Sequence, residues 1–147
     1  MKLIKLSVFS LIFLFASCVE FEQSENGDLD GYWHLVEVDT LDTGGTTDLS
    51  QERCFWMVQG TLFQLYSPDL KNGERYISHF SHEGDQFVIH QVYFSNRAEG
   101  DPAVEDVAIL QPFGINSTQE ETFKIEELKA NRMVLTSSLL RLTLKKS

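Results

Sequence analysis

Short apolar and aromatic runs recur along most of this 147-residue chain, and their number constrains the fold more than any other feature. The runs are rich in aromatic and β-branched residues, which favours strands. They are residues 32–38, 54–58, 61–66, 76–82, 86–94, 122–128, 132–136 and 139–145. Turn-forming pairs such as Asn72-Gly73 and Gly84-Asp85 separate them. Eight short consecutive strands in one domain predict an antiparallel sheet that closes into a barrel or folds into a sandwich.

One segment interrupts the strand pattern. Asp101 can cap a helix, and Pro102 suits its first turn. Apolar residues follow at helical spacing between residues 104 and 108, and Gly114 can end the helix. The sequence therefore predicts an all-β protein with one short helix.

Two hairpins have a predicted register. A two-residue turn at Gly84-Asp85 would pair Phe80 with Ile89, Ile77 with Val92 and His79 with His90. A turn at Ser137-Ser138 would pair Met133 with Leu142 and Leu135 with Leu140. The second hairpin would then have one apolar face directed to the core and one mixed face directed to solvent.

Residues 1–17 have the pattern of a secretory signal peptide. Lys2 and Lys5 precede an apolar run, Leu6 to Ala16, which is shorter than the roughly 20 residues that span a bilayer. The alternative is a buried N-terminal strand or helix, but strongly acidic sequence follows at once. We therefore expect an exported protein.

The end of this run, Phe15-Ala16-Ser17-Cys18, resembles a bacterial lipobox. That resemblance implies cleavage before Cys18 and attachment of lipid to its thiol, and several acyl chains hold a protein firmly to a membrane. The alternative is a soluble secreted protein cut nearby. We expect residues 18–30 to form an acidic tether and residues 31–147 to form the barrel domain.

The chain is acidic, with 12 basic and 22 acidic residues and a formal net charge of −10. Such a chain repels phosphate backbones, which argues against nucleic acid as a partner. Acidic residues just after the lipidated cysteine resemble export signals of some Gram-negative lipoproteins. The expected location is the cell envelope, as an outer-membrane lipoprotein, with exposure at the cell surface left open.

The start of the first strand, Gly31-Tyr32-Trp33, resembles the Gly-x-Trp signature of the lipocalin barrel. The C-terminal pattern, Met133-Val134-Leu135 followed by residues 140–145, is similar to that of small lipocalin-like bacterial lipoproteins. The resemblance implies an antiparallel eight-stranded barrel whose base is closed by Trp33. It also implies a late Arg or Lys stacked on that Trp. Arg141 is the candidate by position, although the predicted register directs it to solvent, so either the register shifts by one residue or the stacked pair is missing.

No motif predicts catalysis or a resident metal. His79 and His90 could face each other across a hairpin, but a metal would need further ligands, and a half-buried polar pair is the simpler interpretation. Nothing in the sequence places a base beside Cys54, so we predict a small buried side chain there rather than a nucleophile. We expect no cofactor and no catalytic residues.

A large aromatic set is the predicted ligand-binding lining: Trp33, Trp56, Phe63, Tyr66, Phe87 and Tyr93. An eight-stranded barrel can be filled by its own side chains or can hold one small ligand. Two functions therefore stay open. One is non-catalytic binding of a small apolar ligand. The other is an interaction module, or accessory subunit of an envelope complex, with a filled barrel.

Overall fold

The computed structural model describes residues 26–147; the predicted signal peptide, Cys18 and the first part of the predicted tether lie outside these residues. Ten strands occur within 26–147. They are β1 (Gly31–Thr40), β2 (Thr46–Asp48), β3 (Phe55–Gln59), β4 (Leu62–Tyr66), β5 (Arg75–Glu83), β6 (Gln86–Ile89), β7 (Tyr93–Phe94), β8 (Glu121–Leu128), β9 (Arg132–Thr136) and β10 (Leu140–Lys146). Each of the eight predicted runs overlaps one of these strands or more.

Eight of these strands form a closed antiparallel barrel. The neighbours in order are β1, β3, β4, β5, β6, β8, β9 and β10, and β10 pairs again with β1. The two short strands lie beside this ring, with β2 paired to β1 and β7 paired to β5. The predicted eight-stranded antiparallel barrel is confirmed.

The barrel interior is filled by large side chains because alternate residues of each strand point inward. Trp56 lies at the centre of a cluster of rings. Its ring centroid is 5.1 Å from that of Phe63, 5.7 Å from Phe123 and 6.4 Å from Phe87. Leu35, Leu65, Ile89, Met133, Leu135, Leu142 and Leu144 complete the wall around the rings, each at most 1% exposed.

The predicted helical segment is present as two consecutive 3₁₀ turns, Val107–Ile109 and Gln111–Phe113. Its cap differs from the prediction. Asp106 caps the first turn by accepting a hydrogen bond from the Ala108 amide at 3.0 Å, whereas Asp101 has a left-handed backbone with φ of 49°. Gly114 ends the segment as predicted, with φ of 84°.

The first hairpin keeps its predicted register only next to the turn. Phe80 pairs with Ile89, but Ile77 pairs with Tyr93 instead of Val92. The buried Ser78 hydroxyl donates hydrogen bonds to the carbonyls of His79 and His90, where the ladder is interrupted. The chain between β6 and β7 therefore has one more residue than the facing part of β5, and this extra residue turns the Tyr93 side chain outward.

The last hairpin is shifted by two residues from the prediction, with Leu142 opposite Leu135 and Leu144 opposite Met133. The Ser137 hydroxyl accepts hydrogen bonds from the amides of Leu139 and Leu140, which lengthens the turn. Because the shift is an even number of residues, each side chain keeps its predicted face.

Residues 26–30, the last part of the predicted tether, are packed on the barrel. Gly27–Leu29 forms a 3₁₀ turn, and Leu29 is completely buried. Among residues 26–147, no helix is long and apolar enough to cross a membrane.

Candidate functional site

The base of the barrel is closed around Trp33. Its indole nitrogen donates a hydrogen bond to the Leu29 carbonyl at 2.8 Å. The Lys146 ammonium lies 4.8 Å from the ring centroid and donates to the Asp28 carbonyl at 2.9 Å. Gly31 has φ of 148°, a backbone conformation that favours glycine, and an added Cβ would lie 2.7 Å from Cε of Lys146 and displace the end of that side chain. The ends of the described chain therefore meet at the base.

Lys146 takes the position for which the sequence suggested Arg141. Arg141 is exposed on the outside of the barrel, opposite Thr136 and Asp39. Lys146 continues the inward alternation of Leu142 and Leu144, and its long stem carries the charge over the Trp33 ring. Lys146 could have been identified from the sequence, because it is the next alternate residue after Leu142 and Leu144.

Residues 104–115, here called the plug, close the barrel where β3 begins and β4 ends. Phe113 packs on Tyr76, with ring centroids 5.9 Å apart, and its carbonyl accepts a hydrogen bond from Trp56 Nε1 at 2.9 Å. A Cβ on Gly114 would lie 2.8 Å from Cδ2 of Leu142. The plug is therefore part of the core.

The predicted ligand-binding residues are divided between the two sides of the barrel wall. Trp33, Trp56, Phe63 and Phe87 lie inside and are at most 1% exposed. Tyr66 and Tyr93 lie outside: the Arg75 guanidinium stacks 3.9 Å from the Tyr66 ring centroid, and Tyr93 is 38% exposed. The six residues do not line one space, and a ligand-binding role for them stays a prediction.

A small cavity of about 210 Å³, here called the end pocket, lies between the plug and the loops that flank β3 and β4. Its lining is Leu49, Glu52, Arg53, Cys54, Ser67, Asp69, Leu70 and Pro112. Arg53 and Asp69 form a two-contact ion pair there. Sequence reasoning did not find this pocket, because its wall comes from loops and the plug.

A larger concavity of about 540 Å³, here called the outer groove, lies on the outside of β1, β3 and β4. Its lining is Asp30, Gly31, Tyr32, Met57, Val58, Gln59, Leu62 and Gln64. Leu62 is 57% exposed. An apolar surface on the outer side of a barrel was not predicted.

Cys54 is chemically inert in this environment. It is 3% exposed, and its Sγ lies 3.7 Å from the Pro112 carbonyl oxygen. Burial raises the pKa of the Cys54 thiol to about 12. The nucleophilic thiolate is therefore rare near neutral pH.

The predicted histidine pair is not arranged as a metal site. His90 Nε2 is 2.8 Å from the Ser81 hydroxyl, and its Nδ1 is 3.8 Å from a Glu120 oxygen. The His79 carbonyl accepts a hydrogen bond from the His90 amide at 3.0 Å, while His79 pairs with Leu62 on the other side of β5. In the part of the chain that the structure describes, no group of three or more His, Cys, Asp or Glu side chains could hold a metal ion.

A closed eight-stranded antiparallel barrel with Gly-x-Trp on its first strand, and a cation over that Trp, defines the lipocalin class of β-barrels. The lipocalin-like domain family matches residues 13–147, and the chain belongs to that family. This fold is generally a binding fold rather than a catalytic one, and it supports a ligand-binding role. No curated protein matches the chain.

Solved structures show the same fold. A lipocalin-like protein from Bacteroides uniformis is 23% identical with a TM-score of 0.63, covering 82% of this chain and all of that protein. An uncharacterized protein from Bacteroides eggerthii is 25% identical with a TM-score of 0.61, covering 80% and 98%. A protein from Burkholderia xenovorans is 13% identical with a TM-score of 0.52, covering 89% and 94%.

Proposed function

We propose that this is a lipid-anchored envelope protein that binds a small, largely apolar ligand without catalysis, in the end pocket. The observation that carries the proposal is the contrast between a filled barrel interior and a cavity at its end. Side chains already occupy the interior, so an apolar molecule would bind beside the plug instead.

The size and lining of the end pocket limit its ligand. Its volume of about 210 Å³ is below the roughly 300–1,000 Å³ of typical small-molecule sites. A compact molecule, or one end of a longer apolar molecule, would fit. Leu49, Leu70 and Pro112 would contact its apolar part, while the Arg53–Asp69 pair would meet a polar end.

The ligand can be tested by native mass spectrometry of the chain from residue 19 onward, purified without additives and then extracted under denaturing conditions. We expect a bound molecule that leaves on unfolding. Leu70→Trp would fill the pocket and abolish binding of that molecule or of a hydrophobic fluorescent dye. Leu41→Trp, at a residue 47% exposed away from the pocket, is the matched control. Equal binding by a folded Leu70→Trp protein would refute this site.

The anchor is tested by metabolic labelling with a fatty-acid analogue in a Gram-negative host. We expect labelling of the unmodified chain and of Cys54→Ser, and none of Cys18→Ser. Protease treatment of intact cells then tests surface exposure, since a surface lipoprotein is digested and a periplasmic one is protected. Labelling that persists in Cys18→Ser would exclude the proposed attachment site.

A second candidate function is an interaction module or accessory subunit of an envelope complex. The filled interior favours it, because a barrel without a lumen must act through its surface. An empty protein that also fails to bind the dye would support this second function over the first.

A further inference from the structure

Two cross-strand rows give the outside of β1, β3, β4 and β5 an aromatic surface. One row is His34, Phe55, Tyr66 and Arg75, and the other is Tyr32, Met57, Gln64 and Ile77. The rings contact one another, with Tyr32 and Phe55 centroids 4.8 Å apart. We call these eight residues the outer aromatic face. The outer groove lies over its Tyr32, Met57 and Gln64.

Arg75 is an uncompensated positive charge on this face. It stacks on Tyr66 and forms no ion pair with any carboxylate of residues 26–147, whereas nearby Arg53 is paired with Asp69. The chain has 22 acidic residues. The groove, with Tyr32, Met57 and Leu62 in its lining, shares the outer face of the barrel with a guanidinium that has no carboxylate partner among residues 26–147. This combination suits a segment that carries an apolar side chain next to a carboxylate.

The chain reaches the barrel at the edge of this groove. The Asn26 side-chain amide donates hydrogen bonds to the Gly60 carbonyl at 2.6 Å and to Asp30 at 2.7 Å. Asp30 and Gly31 line the outer groove. The residues before Asn26 are therefore tethered next to it, which gives them a high effective concentration there.

We propose that residues 19–25 of this chain, Val-Glu-Phe-Glu-Gln-Ser-Glu, bind in the outer groove. Val19 and Phe21 alternate with Glu20 and Glu22. In an extended conformation that lies edge-on to the sheet, such a segment directs its apolar side toward Tyr32 and Met57 and its acidic side along the surface toward Arg75. Phe21 packs against Tyr32 and Met57, and a glutamate carboxylate pairs with Arg75.

The segment is long enough to reach every part of the groove. Phe21 lies five residue steps before Asn26, which span up to about 17 Å when extended. The groove follows β3 from Gln59 to Met57, two steps that cover about 7 Å. This proposal needs neither a lipid at Cys18 nor a ligand in the end pocket, so it can fail or succeed independently of the proposed function.

Photo-crosslinking tests the occupant directly. The full chain is produced with a benzophenone amino acid at position 21, irradiated at low concentration and mapped by peptide mass spectrometry. We expect an intramolecular crosslink to Met57 or to a neighbouring groove residue. Crosslinks between two molecules would assign the groove to a second copy, and crosslinks outside the groove or none at all would overturn the proposal.

Charge reversal tests the role of Arg75. Binding protects Glu20 and Glu22 from a glutamate-specific protease, and Arg75→Glu should accelerate cleavage there about two- to fivefold, the effect of losing one surface ion pair. Arg97→Glu makes the same charge change at an exposed residue outside the groove and should leave the rate unchanged. Equal cleavage rates in the two variants would show that Arg75 does not pair with a glutamate of this segment.

Discussion

The two sides of the wall formed by β1, β3, β4 and β5 are both aromatic, yet they differ in burial. Inside, Trp33 and Trp56 are fully buried, and each indole nitrogen has a carbonyl partner. Outside, Tyr32, Phe55 and Tyr66 are half-buried: the rings of Tyr32 and Phe55 pack together, and Tyr66 packs under the Arg75 guanidinium. Aromatic content alone therefore does not distinguish a core from a surface. The alternation along each strand does.

The largest expected effect contrasts two neighbouring residues of β3. Trp56→Ala removes a buried ring and its hydrogen bond, and should lower the free energy of unfolding by about 3–5 kcal/mol. Phe55→Ala, on the outer side, should cost about 1 kcal/mol or less. Urea denaturation measures both. Similar losses in the two variants would mean that the outer aromatic face is as buried in solution as the interior.

The second prediction concerns the packing of the plug on the interior. Gly114→Ala combines a left-handed backbone with a contact to Leu142 and should cost about 2–3 kcal/mol. Gly44→Ala has a similar φ, 70°, with no atom within 4 Å of the added Cβ, and should cost about 1 kcal/mol. Thermal unfolding separates the two, and equal shifts would indicate that the plug is loosely packed.

The third prediction concerns pH. Burial raises the pKa of the Cys54 thiol from 9.0 to about 12, so the folded state retains a proton that the unfolded state releases. This group has no effect on stability below about pH 9. Above it, stability should fall by about 1 kcal/mol per pH unit until the folded thiol also ionises. The pH dependence of urea unfolding should be correspondingly shallower in Cys54→Ala, and parallel curves would show that the thiol is solvated.

The smallest effect is expected at the base. Lys146→Ala removes the cation over Trp33 and its bond to Asp28, at a cost of about 0.5–1 kcal/mol. Lys145→Ala, directed to solvent on the same strand, should change stability by less than about 0.5 kcal/mol. If the two variants lose the same free energy of unfolding within error, the cation does not stabilise the base, and packing alone holds Trp33 in place.

Strand positions could be predicted because aromatic and β-branched runs are a local signal. The turn lengths could not, because they depend on individual hydrogen bonds. Ser137 extends the last turn with its hydroxyl, and Ser78 interrupts the pairing near His90. The first change preserved every face, whereas the second moved Tyr93 from the predicted lining to the surface.

The candidate site was less predictable than the fold. The predicted lining chose aromatic residues by type, so it combined Trp56 from the interior with Tyr66 from the outer face. The end pocket joins residues 49–54 and 67–70 with Pro112, three separate stretches that come from loops and the plug. No periodic pattern relates such residues, and only the closed barrel brings them together.

Closure of the barrel has a consequence for how the protein folds. Trp33 pairs with Lys146 across more than 100 residues of sequence, so the pairing of β1 with β10 joins the first and last strands of the barrel. Contacts of such high sequence separation slow folding, since a long loop must be ordered before they form. The hairpins can form early, but the ring cannot be completed until β10 has been synthesised. Loss of a few residues of β10 should therefore be far more damaging than their small number suggests.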